Sequence, residues 1–116
     1  MDVLSERDAA GHLACTLIDR DATATVVAAD VLDAAEDLEG ALADARDAGY
    51  GECVWQLTDG DFKWLFRRSG PLTDVVVLWS AGVVTGWQHV FRSETDAADL
   101  DRRVGEELAR VRGEAR

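Results

Sequence analysis

The stretch from Cys53 to Arg67 constrains the fold of this chain more than any other. It reads CVWQLTDGDFKWLFR, with Asp59-Gly60 near its centre. Asp-Gly is favoured in tight type I′ hairpin turns, because both central residues of that turn need φ > 0. A two-residue loop at 59–60 pairs Thr58 with Asp61, Leu57 with Phe62, Trp55 with Trp64 and Cys53 with Phe66. Side chains alternate across a strand. The aromatic and apolar residues Cys53, Trp55, Leu57, Phe62, Trp64 and Phe66 therefore share one face, and Val54, Gln56, Lys63, Leu65 and Arg67 the other. A one-residue slip would turn every aromatic over, so pattern and turn chemistry support the same faces.

The flanking segments extend this into a domain. Val31, Ala35, Leu38, Leu42 and Ala45 recur at helical spacing and predict a helix over Val31–Ala48. Asp30 is placed to cap its start and Gly49 to end it in the left-handed conformation. Ala22–Ala29 reads as a strand before the helix and Cys53–Thr58 as one after it. Ser69-Gly70-Pro71 reads as a turn. Val75-Val76-Val77-Leu78-Trp79 is apolar on both alternations, as in a strand covered on both faces. Residues 83–91 fit a strand (Val83, Thr85, Trp87, His89 and Phe91 alternating) or a helix, with β-branched and aromatic content favouring the strand. A last helix is expected over Asp96–Val111, capped by Thr95, with Ala97, Leu100, Val104, Leu108 and Val111 facing inward. The first twenty residues fit either a helix opening at Ser5 or a strand Leu13–Asp19 that turns at Arg20-Asp21. The expectation is a single α+β domain over 1–116: an antiparallel-rich sheet of about five strands, with two or three helices mainly on one face.

With a helix before Leu13–Asp19, the order becomes α-β-β-α-β-β-β-α. That order, with Leu17-Ile18-Asp19-Arg20-Asp21 as a first hairpin and Trp64 to Trp79 as later strands, resembles the roadblock family of small dimerising modules. Ala22 stands where that family has a glycine. The resemblance implies a homodimer.

Charge bounds the partners. Acids outnumber bases 23 to 12, for a net charge of −11, and Lys63 is the only lysine beside eleven arginines. Such a charge destabilises a compact chain by self-repulsion. Salt near 1 M, with a Debye length of about 3 Å, largely removes that cost. The composition resembles haloarchaeal proteins and implies a salt-rich cytoplasm. Nucleic acid, which calls for a basic footprint, is a poor partner. No apolar run approaches the roughly 18 residues of a membrane span, and no signal segment opens the chain. Cys15 and Cys53 lie far outside any C-x-x-C spacing and read as buried free thiols.

The chemistry-bearing residues are sparse. There is no dinucleotide or phosphate-binding glycine motif, no Gly-x-Ser-x-Gly and no Cys/His pair. This leaves no catalytic residue, metal ligand or cofactor to assign. His89 falls with Trp87 and Phe91 on one alternation and reads as a core or interface histidine; His12 reads as a solvated helix residue. Asp61-Phe62-Lys63 matches the Asp-x-Lys of some metal-dependent nucleases, which makes a small enzyme acting on nucleic acid one alternative. A ligand pocket above roughly 300 Å³ between a helix and the tryptophan face is another. Lys63, Arg67 and Arg68, with Arg92, form the one basic cluster, suited to a phosphate or an acidic partner segment. Trp55 and Trp64 add aromatic area of the kind found at interface centres. The leading expectation is a non-catalytic, homodimeric protein-interaction module whose surface is Lys63, Arg67, Arg68, Trp55 and Trp64, with room for a further protein partner.

Overall fold

A computed structural model describes residues 1–82 and 86–115. Within them the chain runs β1 (Asp2–Arg7), β2 (Leu13–Asp19), β3 (Ala22–Ala28), α1 (Val31–Ala48), β4 (Tyr50–Leu57), β5 (Gly60–Ser69), β6 (Leu72–Ser80), β7 (Gln88–Asp96) and α2 (Ala97–Ala115). Every strand pairing is antiparallel. The strands form a three-stranded sheet, β1-β2-β3, and a four-stranded sheet, β4-β5-β6-β7. The α+β class holds, with seven strands among the described residues instead of about five, divided between two sheets, and two helices.

α1 forms where the periodicity places it. The Asp30 carboxylate accepts from the Asp33 N–H at 2.9 Å. Gly49 adopts φ 86° and donates to Ala45 O. α2 starts one residue later than its expected cap implies: Asp96, not Thr95, accepts from the Asp99 N–H at 2.9 Å. Thr95 is instead buried in β7.

The N-terminal region resolves in favour of strands. β2 and β3 pair Asp19 with Ala22 around Arg20-Asp21, and Arg20 takes the positive φ of 55° that so short a loop demands. β1 takes the place of the expected first helix, so the chain opens on a strand. His12 sits in the β1–β2 connection, its N–H donating to Asp8 Oδ1, and not on a helix.

The β4–β5 hairpin keeps its predicted faces but not its predicted pairs. Leu57 pairs with Gly60, Trp55 with Phe62, Cys53 with Trp64 and Gly51 with Phe66. The loop is Thr58-Asp59, and neither Asp59 nor Gly60 has positive φ, so the turn is not type I′. Gly60 serves close approach instead. A Cβ there would stand 2.5 Å from both Ser80 O and the Trp79 ring. The register moves by two residues in the summed pairing, an even step, so no side chain changes face.

The inner face of the four-stranded sheet carries Trp55, Trp64, Phe66, Val75, Val77 and Phe91, all buried. α1 lies on β4 and β5 and also touches α2, which packs against β1, β6 and β7. At Gly51 the approach of α1 is so close that a Cβ would fall 1.9 Å from Ala41 O. The three-stranded sheet closes the same core with Val3, Leu13, Cys15, Leu17, Ala24 and Val26. Ser93 Oγ on β7 joins the two sheets by donating to Asp19 Oδ2 at 2.6 Å. α2 also covers the open edge of β1: Ser5 N–H donates to Glu107 at 2.9 Å, and Arg110 donates to Ser5 O. Covering a strand edge in this way blocks further strand addition there.

Candidate functional site

Each sheet has an outer face with no helix on it; that of the four-stranded sheet is the larger and carries Lys63 and Arg67. Alternation along the strands builds it in rows fixed by the pairing register. The first row is Tyr50, Arg67, Asp74, Glu94. The second is Glu52, Leu65, Val76, Arg92. The third is Val54, Lys63, Leu78, His89. The fourth is Gln56, Asp61, Ser80. Leu65, Val76 and Leu78 are half-buried, and Val54 is 37% exposed. They form an apolar band across all but the β7 edge. Tyr50 and Trp87, each 44% exposed, add aromatic area, and the Lys63 ammonium lies 5.1 Å from the Trp87 ring centroid.

The β7 edge of this face depends on a bulge. Val77 pairs with Phe91 but Leu78 with His89, which leaves Val90 as the extra residue. Phe91 therefore enters the core while His89 turns outward and is exposed, so the expectation of a common face for the two is corrected. Residues 88–96 are strand, as the alternation favoured, and 83–85 of the ambiguous segment lie outside the described residues.

The structure separates the five residues singled out by sequence. Lys63 and Arg67 stand on the outer face of β5, and Arg92 joins them from β7. Arg68 points the other way, its guanidinium 3.6 Å from Asp101 on α2. Trp55 and Trp64 are 1% and 2% exposed. Their rings meet edge to face at a centroid separation of 5.1 Å, and Trp55 Nε1 donates to Ala34 O at 3.2 Å. They organise the core and present nothing to a partner. Tyr50, Val54 and Trp87 supply the exposed apolar area that sequence reasoning had assigned to them. The signal for Val54 lay in its place on the non-aromatic alternation of β4.

This face is nearly balanced in charge. Its four rows hold three cations, Lys63, Arg67 and Arg92, against four acids, Glu52, Asp61, Asp74 and Glu94, in a chain whose net charge is −11. Arg92 is held by Asp74 through two contacts of 3.2 Å. Arg67 has no ion pair among the described residues. Tyr50 donates to Glu52 at 2.6 Å, and that bond holds the phenol above its ordinary range. A hollow of about 420 Å³ opens between Tyr50, Arg67, His89 and Arg92, floored by Leu65 and Val76.

Other candidate chemistry does not converge. Asp61 and Lys63 share the outer face, but among the described residues no group of three His, Cys, Asp or Glu side chains is placed to hold a metal ion. The hollow beside Trp55 measures about 190 Å³, less than a ligand-binding domain would need there. Burial pushes both the Cys15 and Cys53 thiols up to about 12, leaving almost no thiolate near neutral pH. No helix of the described residues is long and apolar enough to cross a membrane. Comparison with protein-family models, with curated proteins and with solved structures finds no match.

Proposed function

We propose that this chain is a non-catalytic, dimeric protein-interaction module that docks through the outer face of its four-stranded sheet. The observation that carries the reading is the bare apolar band Val54–Leu65–Val76–Leu78. β6 is apolar on both alternations, and within one chain only its inner side is covered. The near balance of charge on this face, in a chain at −11, lets a second copy approach without the repulsion that the rest of the surface would impose. Lys63, Arg67 and Arg92 are the cations of the surface; Arg68, Trp55 and Trp64 hold the fold behind it. The proposed setting is a salt-rich cytoplasm, where screening removes the self-repulsion of 23 acids.

Light scattering after size exclusion in about 3 M KCl, where repulsion is almost fully screened, is expected to give twice the chain mass of 12.6 kDa. Leu65→Asp, and separately Val76→Asp, should return the mass to that of one chain while the circular dichroism spectrum stays unchanged. A wild-type chain that stays monomeric at all accessible concentrations overturns the reading.

A further inference from the structure

We infer that the occupant of this face is a second copy of the same chain, related by a two-fold axis that lies in the interface and runs along the strands. The inference rests on the interaction reading above and goes beyond it by fixing which residues meet. A face-to-face dimer with a closed two-fold must be self-complementary, and the four rows fix which side chains meet for a given axis. An axis along the strands, midway between β5 and β6, places β4 over β7 of the second copy and β5 over its β6. Glu52 then lies over Arg92 of the second copy and Arg67 over Asp74 of the second copy. Leu65 meets Val76 of the second copy, Tyr50 meets Glu94, Val54 meets His89 and Lys63 meets Leu78. No like charges face each other anywhere in the four rows.

Each symmetry-related half of this dimer contains one alternating chain of charge. Arg67 of the second copy reaches Asp74, which already holds Arg92 at 3.2 Å, and Arg92 reaches Glu52 of the second copy. Arg67, which has no ion pair among the described residues of its own chain, thereby gains an acid. The other in-plane axis, across the strands between the second and third rows, does worse. It sets Arg92 over His89 of the second copy and Lys63 over Leu65, with Arg67 over Asp61 as its single opposite pair.

The area is sufficient. Strands about 4.8 Å apart and residues about 3.3 Å apart give a face of roughly 500 Å² in projection, or about 1,000 Å² for two copies. That reaches the lower bound of a specific interface before side-chain relief is counted. Aligned sheets cross at about 30°, so the rows superpose best at the centre, around Leu65 and Val76.

Cysteine cross-linking distinguishes the axes. With sheets about 10 Å apart, Glu52 and Arg92 of the second copy stand about 10 Å from each other. Glu52 and Glu52 of the second copy stand about 17 Å apart, offset by three strands. In a Cys53→Ala background, Glu52→Cys mixed with Arg92→Cys should yield a covalent dimer with a short bismaleimide, whereas Glu52→Cys alone should not. Independently, Glu52→Arg and Arg92→Glu chains should each lose self-association yet pair with one another, an outcome that a purely structural role for either residue would not produce. A chain that dimerises but cross-links through Glu52→Cys alone overturns the axis and leaves the interaction reading standing. A chain that does not dimerise overturns both.

Discussion

The two faces of the four-stranded sheet are built from the same kind of residue and meet different ends. Inside, Trp55, Trp64, Phe66, Val75, Val77 and Phe91 are each no more than 2% exposed. Outside, Leu65, Val76 and Leu78 are only half-covered, by neighbours on their own sheet. Apolar area buried on folding stabilises by about 25 cal/mol per Å². The inner face therefore specifies the fold, while the outer face holds apolar area that one chain does not bury. An apolar alternation in a strand indicates that a surface is to be covered, without indicating whether the same chain covers it.

The largest expected effect lies on the inner face. Trp55→Ala removes a fully buried indole and its hydrogen bond to Ala34 O. Truncations of this kind cost about 3–5 kcal/mol. Denaturant unfolding in high KCl checks this; a loss below about 1 kcal/mol would mean that Trp55 is not the centre of the core.

A sharper comparison uses neighbours of one residue type on opposite faces of β6. Val77 is 0% exposed and Val76 is half-buried. Val77→Ala is expected to cost about 2 kcal/mol at any protein concentration. Val76→Ala should cost about 1 kcal/mol or less in dilute solution, where the chain is monomeric. Its cost should grow with protein concentration, because association stabilises the folded state by mass action. Equal, concentration-independent costs would erase the distinction between the faces.

The same contrast explains what was legible in the sequence. α1 was fully legible because its period, Asp30 cap and Gly49 stop act within a few residues of one another. The faces of the hairpin were legible because alternation is local. The exact pairing was not, because the role of Gly60 is set by Trp79 and Ser80, nearly twenty residues away in sequence. β1 was missed because its core contribution is small: Val3 and a Ser5 whose burial relies on Cys15 and on α2. The outward turn of His89 depends on the bulge at Val90, which no spacing rule signals. At the site, Lys63 and Arg67 were placed together correctly by alternation. Trp55 and Trp64 were not available to a surface, because the helices and the second sheet together cover the aromatic face.

The smallest effect separates the two tryptophans of the inner face. Both are buried, and they touch edge to face, but among the described residues Trp55 has a partner for its ring N–H and Trp64 Nε1 has none. A buried donor left unpaired costs about 1–3 kcal/mol. Replacing either indole by phenyl loses similar ring volume, worth about 1–2 kcal/mol in packing. In Trp55→Phe that loss adds to the loss of the hydrogen bond. In Trp64→Phe it is offset by removal of the unpaired N–H, so the net change should stay within about 1 kcal/mol of zero. The difference between the two variants, read from parallel unfolding curves, isolates the polar contribution from the packing one. Equal costs would show that the Trp64 N–H is satisfied in solution, by water or by the face of the Trp55 ring, and the inner face would then carry no polar strain.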